Sequence, residues 1–286
     1  MLTLLFDGIA YGMLLFVLAV GLAVTLGLMN FVNLAHGAFA MAGGYVTVLL
    51  MNRLGVPFLA TLPAAFLLTA LAGALLERTL YRPMYAKPHL DQVLFSIGLV
   101  FMSVTAVDWL LGSQQQMIQV PSWLQGRFDF AAVGIGKYRL FIIVLCGVLT
   151  IALQAVLTRT RFGSRLRASV DDPRVAGGLG LDVNRIFMFT FAVGSGLAGL
   201  GGALGAEVLG LDPSFPLKFM IYFLIVVSVG GTTTITGPLL AALLLGIADV
   251  AGKYYVPKLG AFIVYTLMIA ILVWRPQGLF TRKGGK

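Results

Sequence analysis

Long apolar runs separated by polar connections dominate the chain. The runs cover residues 2–28, 38–51, 59–76, 93–111, 140–157, 186–209, 215–229, 238–250 and 261–274. The longer ones reach the about 20 residues that a helix needs to cross a bilayer. Asp7 interrupts only the start of the first run, Pro63 falls early in the third, and Asp108 sits near the end of the fourth. Runs 215–229 and 238–250 are short for a full crossing. The pattern predicts an all-α, polytopic integral membrane helix bundle. It would have eight or nine transmembrane helices, with broken or re-entrant segments, in one domain spanning 1–286.

Small residues recur inside these runs. Gly194, Ala198, Gly202 and Ala206 form one row at every fourth position, with Ser195, Gly199 and Ala203 beside it. Gly8, Gly12, Ala19, Ala23 and Gly27 supply small contacts in the first run. Such rows let membrane helices approach closely, so Gly194, Ala198, Gly199 and Gly202 are expected at helix contacts.

Composition supports the membrane reading. Charged residues make up only 11%, against about 25% in a soluble domain, so the chain cannot cover itself with water-facing side chains. Net charge is +9, which in a soluble protein would suggest nucleic acid. Here the charge follows the sides of the loops instead, and no nucleic-acid role is expected. If every run crosses, thirteen of the twenty Lys and Arg fall on one side. They are Arg78, Arg82, Lys87, the six arginines of loop 158–185, Arg275, Arg282, Lys283 and Lys286. By the positive-inside rule that side is the cytoplasm. The C-terminus would then be cytoplasmic, loop 112–139 periplasmic, and nine the number of crossings, or eight if one short run is re-entrant. Cys146 is the single cysteine, which excludes an internal disulfide and suits packing. The apolar stretch after Met1 lacks a basic start and an Ala-x-Ala site, so no cleaved signal peptide is expected.

Two interruptions carry candidate chemistry. Asn30, Asn33 and His36 recur every third residue between the first two runs. Polar groups there either line or brace a translocation path, or they cap a helix end and bond freed carbonyls. The second interruption, 230–238, has two glycines and then Thr232, Thr233 and Thr234. It reads as a loop between half-helices near a substrate path, or as a tight cytoplasmic turn. His36 has no second His or Cys nearby in sequence, so no metal site is expected.

Loop 158–185 holds Arg159, Arg161, Arg165, Arg167, Arg174 and Arg185. It suits either a docking site for a soluble partner or a loop that only sets topology. Asp171, Asp172 and Pro173 suit the start of a short helix over 175–181. Ala176, Gly177, Gly178 and Gly180 would leave its surface smooth enough to enter a cleft.

Three stretches resemble one family, the permease subunits of the branched-chain amino-acid type of ABC importer. They are Thr158-Arg-Thr-Arg-Phe-Gly-Ser-Arg-Leu-Arg-Ala168 with Asp172-Pro-Arg-Val-Ala176, Gly180 and Asn184-Arg185; Asn30-Phe-Val-Asn-Leu-Ala-His-Gly37 with Gly43-Gly44-Tyr45; and Arg275-Pro-Gln-Gly-Leu-Phe280. The resemblance is nearest to the H-type of the two paired permeases. It implies that Arg167, Ala168, Asp172, Pro173, Ala176 and Gly180 lie where the ATPase docks. It also implies two ATP-binding subunits, a second M-type permease, a periplasmic solute-binding protein and a bacterial inner-membrane location. The solute would be leucine, isoleucine, valine or a relative; similar systems carry urea, amides and aromatic acids. The family usually shows Gly-Gly-x-Gly-Ser where this chain has Thr232–Thr234, so a local role there does not carry over.

No Gly-x4-Gly-Lys-Ser/Thr phosphate loop is present, so any ATP energy must come from a partner and no enzyme or cofactor is expected. A stand-alone ion- or proton-coupled transporter is the rival class. It would need ionisable groups at mid-depth, where the runs place only His36.

Overall fold

The computed structural model describes residues 1–29, 31–130, 133–231, 234–275 and 278–279. Asn30, Thr232, Thr233, Pro276, Gln277 and Phe280, singled out above, lie outside the described residues, as do the basic residues beyond position 280. Among the described residues there are eleven α-helices: α1 Leu2–Met29, α2 His36–Leu54, α3 Phe58–Leu76, α4 His89–Leu111, α5 Lys137–Arg159, α6 Arg161–Asp171, α7 Pro173–Gly178, α8 Val183–Leu209, α9 Phe215–Gly230, α10 Thr236–Tyr255 and α11 Gly260–Trp274. Each of the nine apolar runs is one helix, and α6 and α7 fold the arginine loop. Six helices (α1, α3, α4, α5, α8 and α10) are long and apolar enough to cross a membrane. The shorter α9 and α11 have 16 and 15 residues.

The helices run between two ends. At one end Asp7 pairs with Arg139, the Gln116 N–H donates to the Leu211 carbonyl at 2.7 Å, and the Tyr255 hydroxyl donates to Met1 Sδ at 2.6 Å. At the other end α6 folds back on the end of α5, and the Leu279 N–H donates to the Val229 carbonyl at 2.8 Å. The thirteen and seven basic positions of the sequence therefore segregate between these ends wherever the structure describes them.

α1 and α8 form the centre. In their apolar windows 83% and 72% of residues are buried, against 11% in α4. Glycine sets the spacing. A Cβ on Gly202 would stand 2.6 Å from the Ala40 carbonyl carbon of α2, and Gly43 faces the Gly199 backbone equally closely. Gly246 on α10 meets Gly12 on α1, where a Cβ would come within 2.5 Å of the Gly12 Cα. Gly194 lies against Gly21, and Ala198 is fully buried. The small-residue rows thus pack α8 against α1, α2 and α3 of its own chain.

Three local expectations change. Loop 112–139 is not wholly irregular: β1 Arg127–Phe130 and β2 Val133–Gly136 pair antiparallel, and α5 begins at Lys137. α10 extends past its apolar run at both ends to 20 residues, because Thr236, Lys253, Tyr254 and Tyr255 continue the helix. After α3 the chain continues as a π-turn, Glu77–Tyr81, then a 3-10 turn, Arg82–Met84. The short loop helix is Pro173–Gly178, starting and ending earlier than 175–181.

Candidate functional site

The arginine end carries the candidate chemistry. α6 starts on Thr160, whose hydroxyl accepts from the Gly163 N–H at 3.3 Å. It buries Gly163, Leu166 and Ser169, one stripe at every third position, and leaves Arg161, Arg165, Arg167 and Ala168 exposed. Gly163 lies on the Leu157 backbone, and the Arg167 guanidinium donates to the Leu157 carbonyl. A cation at the last carbonyls of α5 also suits that helix's dipole.

α7 follows without slack. The Asp172 carboxylate accepts from the Arg174 and Val175 N–H groups at 2.9 and 3.0 Å, and Pro173 is the first helical residue. At the far end the Leu181 N–H returns to the Ala176 carbonyl and the Gly180 N–H to the Gly177 carbonyl. Gly180 has φ +84°. That pair of bonds around a left-handed glycine is a Schellman closure. Asp172, Pro173 and Gly180 therefore fix both ends of a helix of only 6 residues. Ala176 is buried, 2% exposed, against α6 and α8, so it seats the helix and does not form its free surface. Val175 and Leu179 present that surface, 59% and 78% exposed, flanked by Gly177 and Gly178 with open space around them.

The α1–α2 connection lies at the same end. His36 is buried, and its Nε2 sits 2.9 Å from the Leu18 carbonyl. A carbonyl only accepts, so Nε2 carries the proton and ties α2 to α1. The Asn33 side-chain carbonyl accepts from the Tyr81 hydroxyl at 3.2 Å. Val32 is held on both sides: its N–H donates to Gln92 Oε1 at 3.2 Å, and its carbonyl accepts from Ser96 Oγ at 3.4 Å. Phe31 stands edge-on to Tyr81 and Tyr85. Beneath them Glu77, fully buried, pairs with Arg82 at 3.1 Å and accepts from the Tyr85 hydroxyl at 3.2 Å. Burial, with the Glu77 carboxylate beside it, raises the Tyr85 phenol well above its ordinary range.

The α9–α10 connection is at the arginine end too. α9 closes on Gly231, φ +80°, and the Thr234 hydroxyl accepts from the Gly237 N–H at 3.3 Å, next to the start of α10. Gly278, φ +87°, lies on Gly231 and Ser228, and the Arg275 guanidinium donates to the Leu279 carbonyl at 3.1 Å. Gly278 and Leu279 of the third sequence signature thus lie on the end of α9.

Glu77, Tyr81, Gln92 and Ser96 were not singled out in the sequence. Their partners lie up to 64 positions away, and single polar residues in apolar or basic surroundings give no local signal.

A family described as the permease component of branched-chain amino acid transport systems matches residues 4–272. The chain belongs to this family. Among its relatives is the high-affinity branched-chain amino acid transport system permease protein BraD of Pseudomonas aeruginosa. It is 26% identical, with 97% of this chain and 95% of the relative covered. The probable branched-chain amino acid transport permease protein LivH of Methanocaldococcus jannaschii is 29% identical, with 95% and 90% covered. The permease protein LivM of Escherichia coli is 28% identical, with 93% of this chain but 68% of the relative covered. No solved structure matches. The chain is thus a membrane permease component, and the two kinds of permease, H and M, are both similar to it over most of its length.

Proposed function

We propose that this permease is the H-type half of an ATP-driven importer for branched-chain amino acids. Two ATP-binding subunits, an M-type permease and a periplasmic binding protein would complete it. The arginine end would face the cytoplasm in the bacterial inner membrane, with loop 158–185 and the C-terminus inside and loop 112–139 in the periplasm. The observation that carries this reading is α7. It is a short helix capped at both ends, seated by Ala176 on α8, with Val175 and Leu179 held out in a field of exposed arginines. A soluble partner gripping Val175 and Leu179 would move α8, and α8 contacts α1, α2 and α3 through glycine-close packing. ATP closure in the partner would reach the bundle that way. Asn30, Asn33, His36 and Thr232–Thr234 remain candidates for the translocation path; the bonds of Asn33 and His36 favour bracing its inner end.

Tagged protein purified from native membranes tests the reading. An ATPase, a second permease and a binding protein should co-purify, and Leu179→Asp should release the ATPase while keeping the permeases together. ATPase retained by Leu179→Asp would remove α7 as the docking element. Recovery of this chain alone would remove the importer.

A further inference from the structure

The Gly43-Gly44-Tyr45 signature is not explained by packing alone. Gly43 lies on Gly199, and a Cβ on Gly44 would come within 2.9 Å of the Leu211 side chain. These contacts draw α2 against α8 and the loop after it. Tyr45 is 4% exposed, and its hydroxyl has no hydrogen-bond partner among the described residues. An unpaired buried hydroxyl is destabilising until a group arrives to meet it.

Tyr45 borders a cavity of about 100 Å³ at the hairpin end, between α2 and the end of α4. Its polar walls are Tyr45, Asn52, Arg53 and Gln116; Val48 and Leu111 are among its apolar ones. No carboxylate pairs with Arg53 among the described residues, whereas five other cations there are paired. A hydroxyl, an amide and a free guanidinium over aliphatic walls fit a carboxylate bearing an aliphatic chain. A second cavity, about 430 Å³, lies across residues 111–116 and is lined by Asp108 and Asp212. Asp212 is taken up by Lys218 and Ser214. Asp108 is exposed and without an ion pair among the described residues, so it is the carboxylate left for an ammonium.

We propose that the Tyr45–Arg53 cavity is the receiving site for an aliphatic α-amino acid on the outward side. Tyr45 and Arg53 take its carboxylate, Val48 and Leu111 its side chain, and Asp108 its ammonium. This rests on the importer reading above and adds where the solute first sits on the permease.

The test uses the whole purified complex in lipid nanodiscs, without the binding protein, and tritiated leucine as probe. Tyr45→Phe should weaken leucine binding about tenfold, and Arg53→Gln by about tenfold to a hundredfold. Isoamylamine, which is leucine without its carboxylate, should not compete. Isocaproate, which lacks the ammonium, should compete more weakly than leucine, and Asp108→Asn should abolish that difference. Arg53 is solvent-exposed, so its variant reports even if Tyr45→Phe misfolds. Unchanged binding in Arg53→Gln, equal competition by isoamylamine, or no leucine binding by a complex that retains its ATPases would each overturn the site. Loss of the ATPases themselves would instead count against the importer reading.

Discussion

Gly202→Ala is the sharpest test of the packing described here. The new Cβ would stand 2.6 Å from the Ala40 carbonyl carbon, nearer still to its oxygen, with the Ala40 Cα at 3.0 Å. Carbon atoms in good contact lie about 3.5–4.0 Å apart, so α2 and α8 must part by about 1 Å along that seam. No flexible side chain can yield, because every obstructing atom is backbone. A gap of that size forfeits a quarter to a half of the dispersion energy of the facing atoms, and overpacked cores lose about 1–3 kcal/mol. At about 2–4 °C per kcal/mol for a large domain, the apparent melting midpoint should fall by roughly 2–12 °C. The assay is fluorescence-detected size exclusion after a temperature series in detergent, at one heating rate, since membrane-protein unfolding is read as a rate. Gly98→Ala supplies the control. Gly98 is also helical, on α4, but nothing lies within 4 Å of its Cβ position. That variant should melt as the parent does or slightly higher, because alanine is the better helix former by about 0.5–1 kcal/mol. Equal midpoints for the two variants would refute the argument that glycine is required by close approach.

Other outcomes follow from the same contacts. Glu77→Gln leaves Arg82 without its anion in a buried setting; with Arg82 one-third exposed, the loss should be about 2 kcal/mol, a lower midpoint in the same assay, and an unchanged one would refute it. Asp172→Ala removes the α7 cap, worth about 1 kcal/mol, and should reduce ATPase retention on purification; Asp172→Asn, which can still cap, should restore it. Burial pushes the Asp212 carboxyl up, but bonds from Lys218 and Ser214 outweigh it and hold the group below its ordinary value. Its contribution is therefore complete above about pH 4 and is lost as pH falls through the folded value. The stability gap between parent and Asp212→Asn should narrow from about pH 6 to pH 3, and a constant gap would count against the pairing.

The nine apolar helices, six of them long enough to cross a membrane, were legible because a bilayer demands length and apolarity, and both are local properties of sequence. The ends of α10 were not, since Thr236 and the Lys253–Tyr255 stretch are polar yet continue the helix beyond its apolar run. The row Gly194–Ala206 announced close packing but not its partners, which come from α1, α2 and α3. In the loop, Asp172 and Pro173 located the start of α7, but its end was expected at 181, because Gly180 was read as part of the helix and not as the left-handed residue that closes it. Burial of Ala176 could not be read, because which side of a one-and-a-half-turn helix faces inward depends on where α6 and α8 stand. Glu77, Tyr81 and Gln92 were silent for a related reason. Each is an ordinary residue until the α1–α2 connection is laid against it.

The central claim is that ATP binding and hydrolysis in partner subunits drive movement through this bundle. The most direct measurement is tritiated leucine uptake into proteoliposomes holding the purified complex and its binding protein. ATP would be sealed inside or left out, with and without a protonophore and a sodium ionophore. Uptake that requires ATP and the binding protein and ignores both ionophores is the predicted result. Uptake without ATP that follows a proton or sodium gradient would contradict the account and make this permease a secondary transporter.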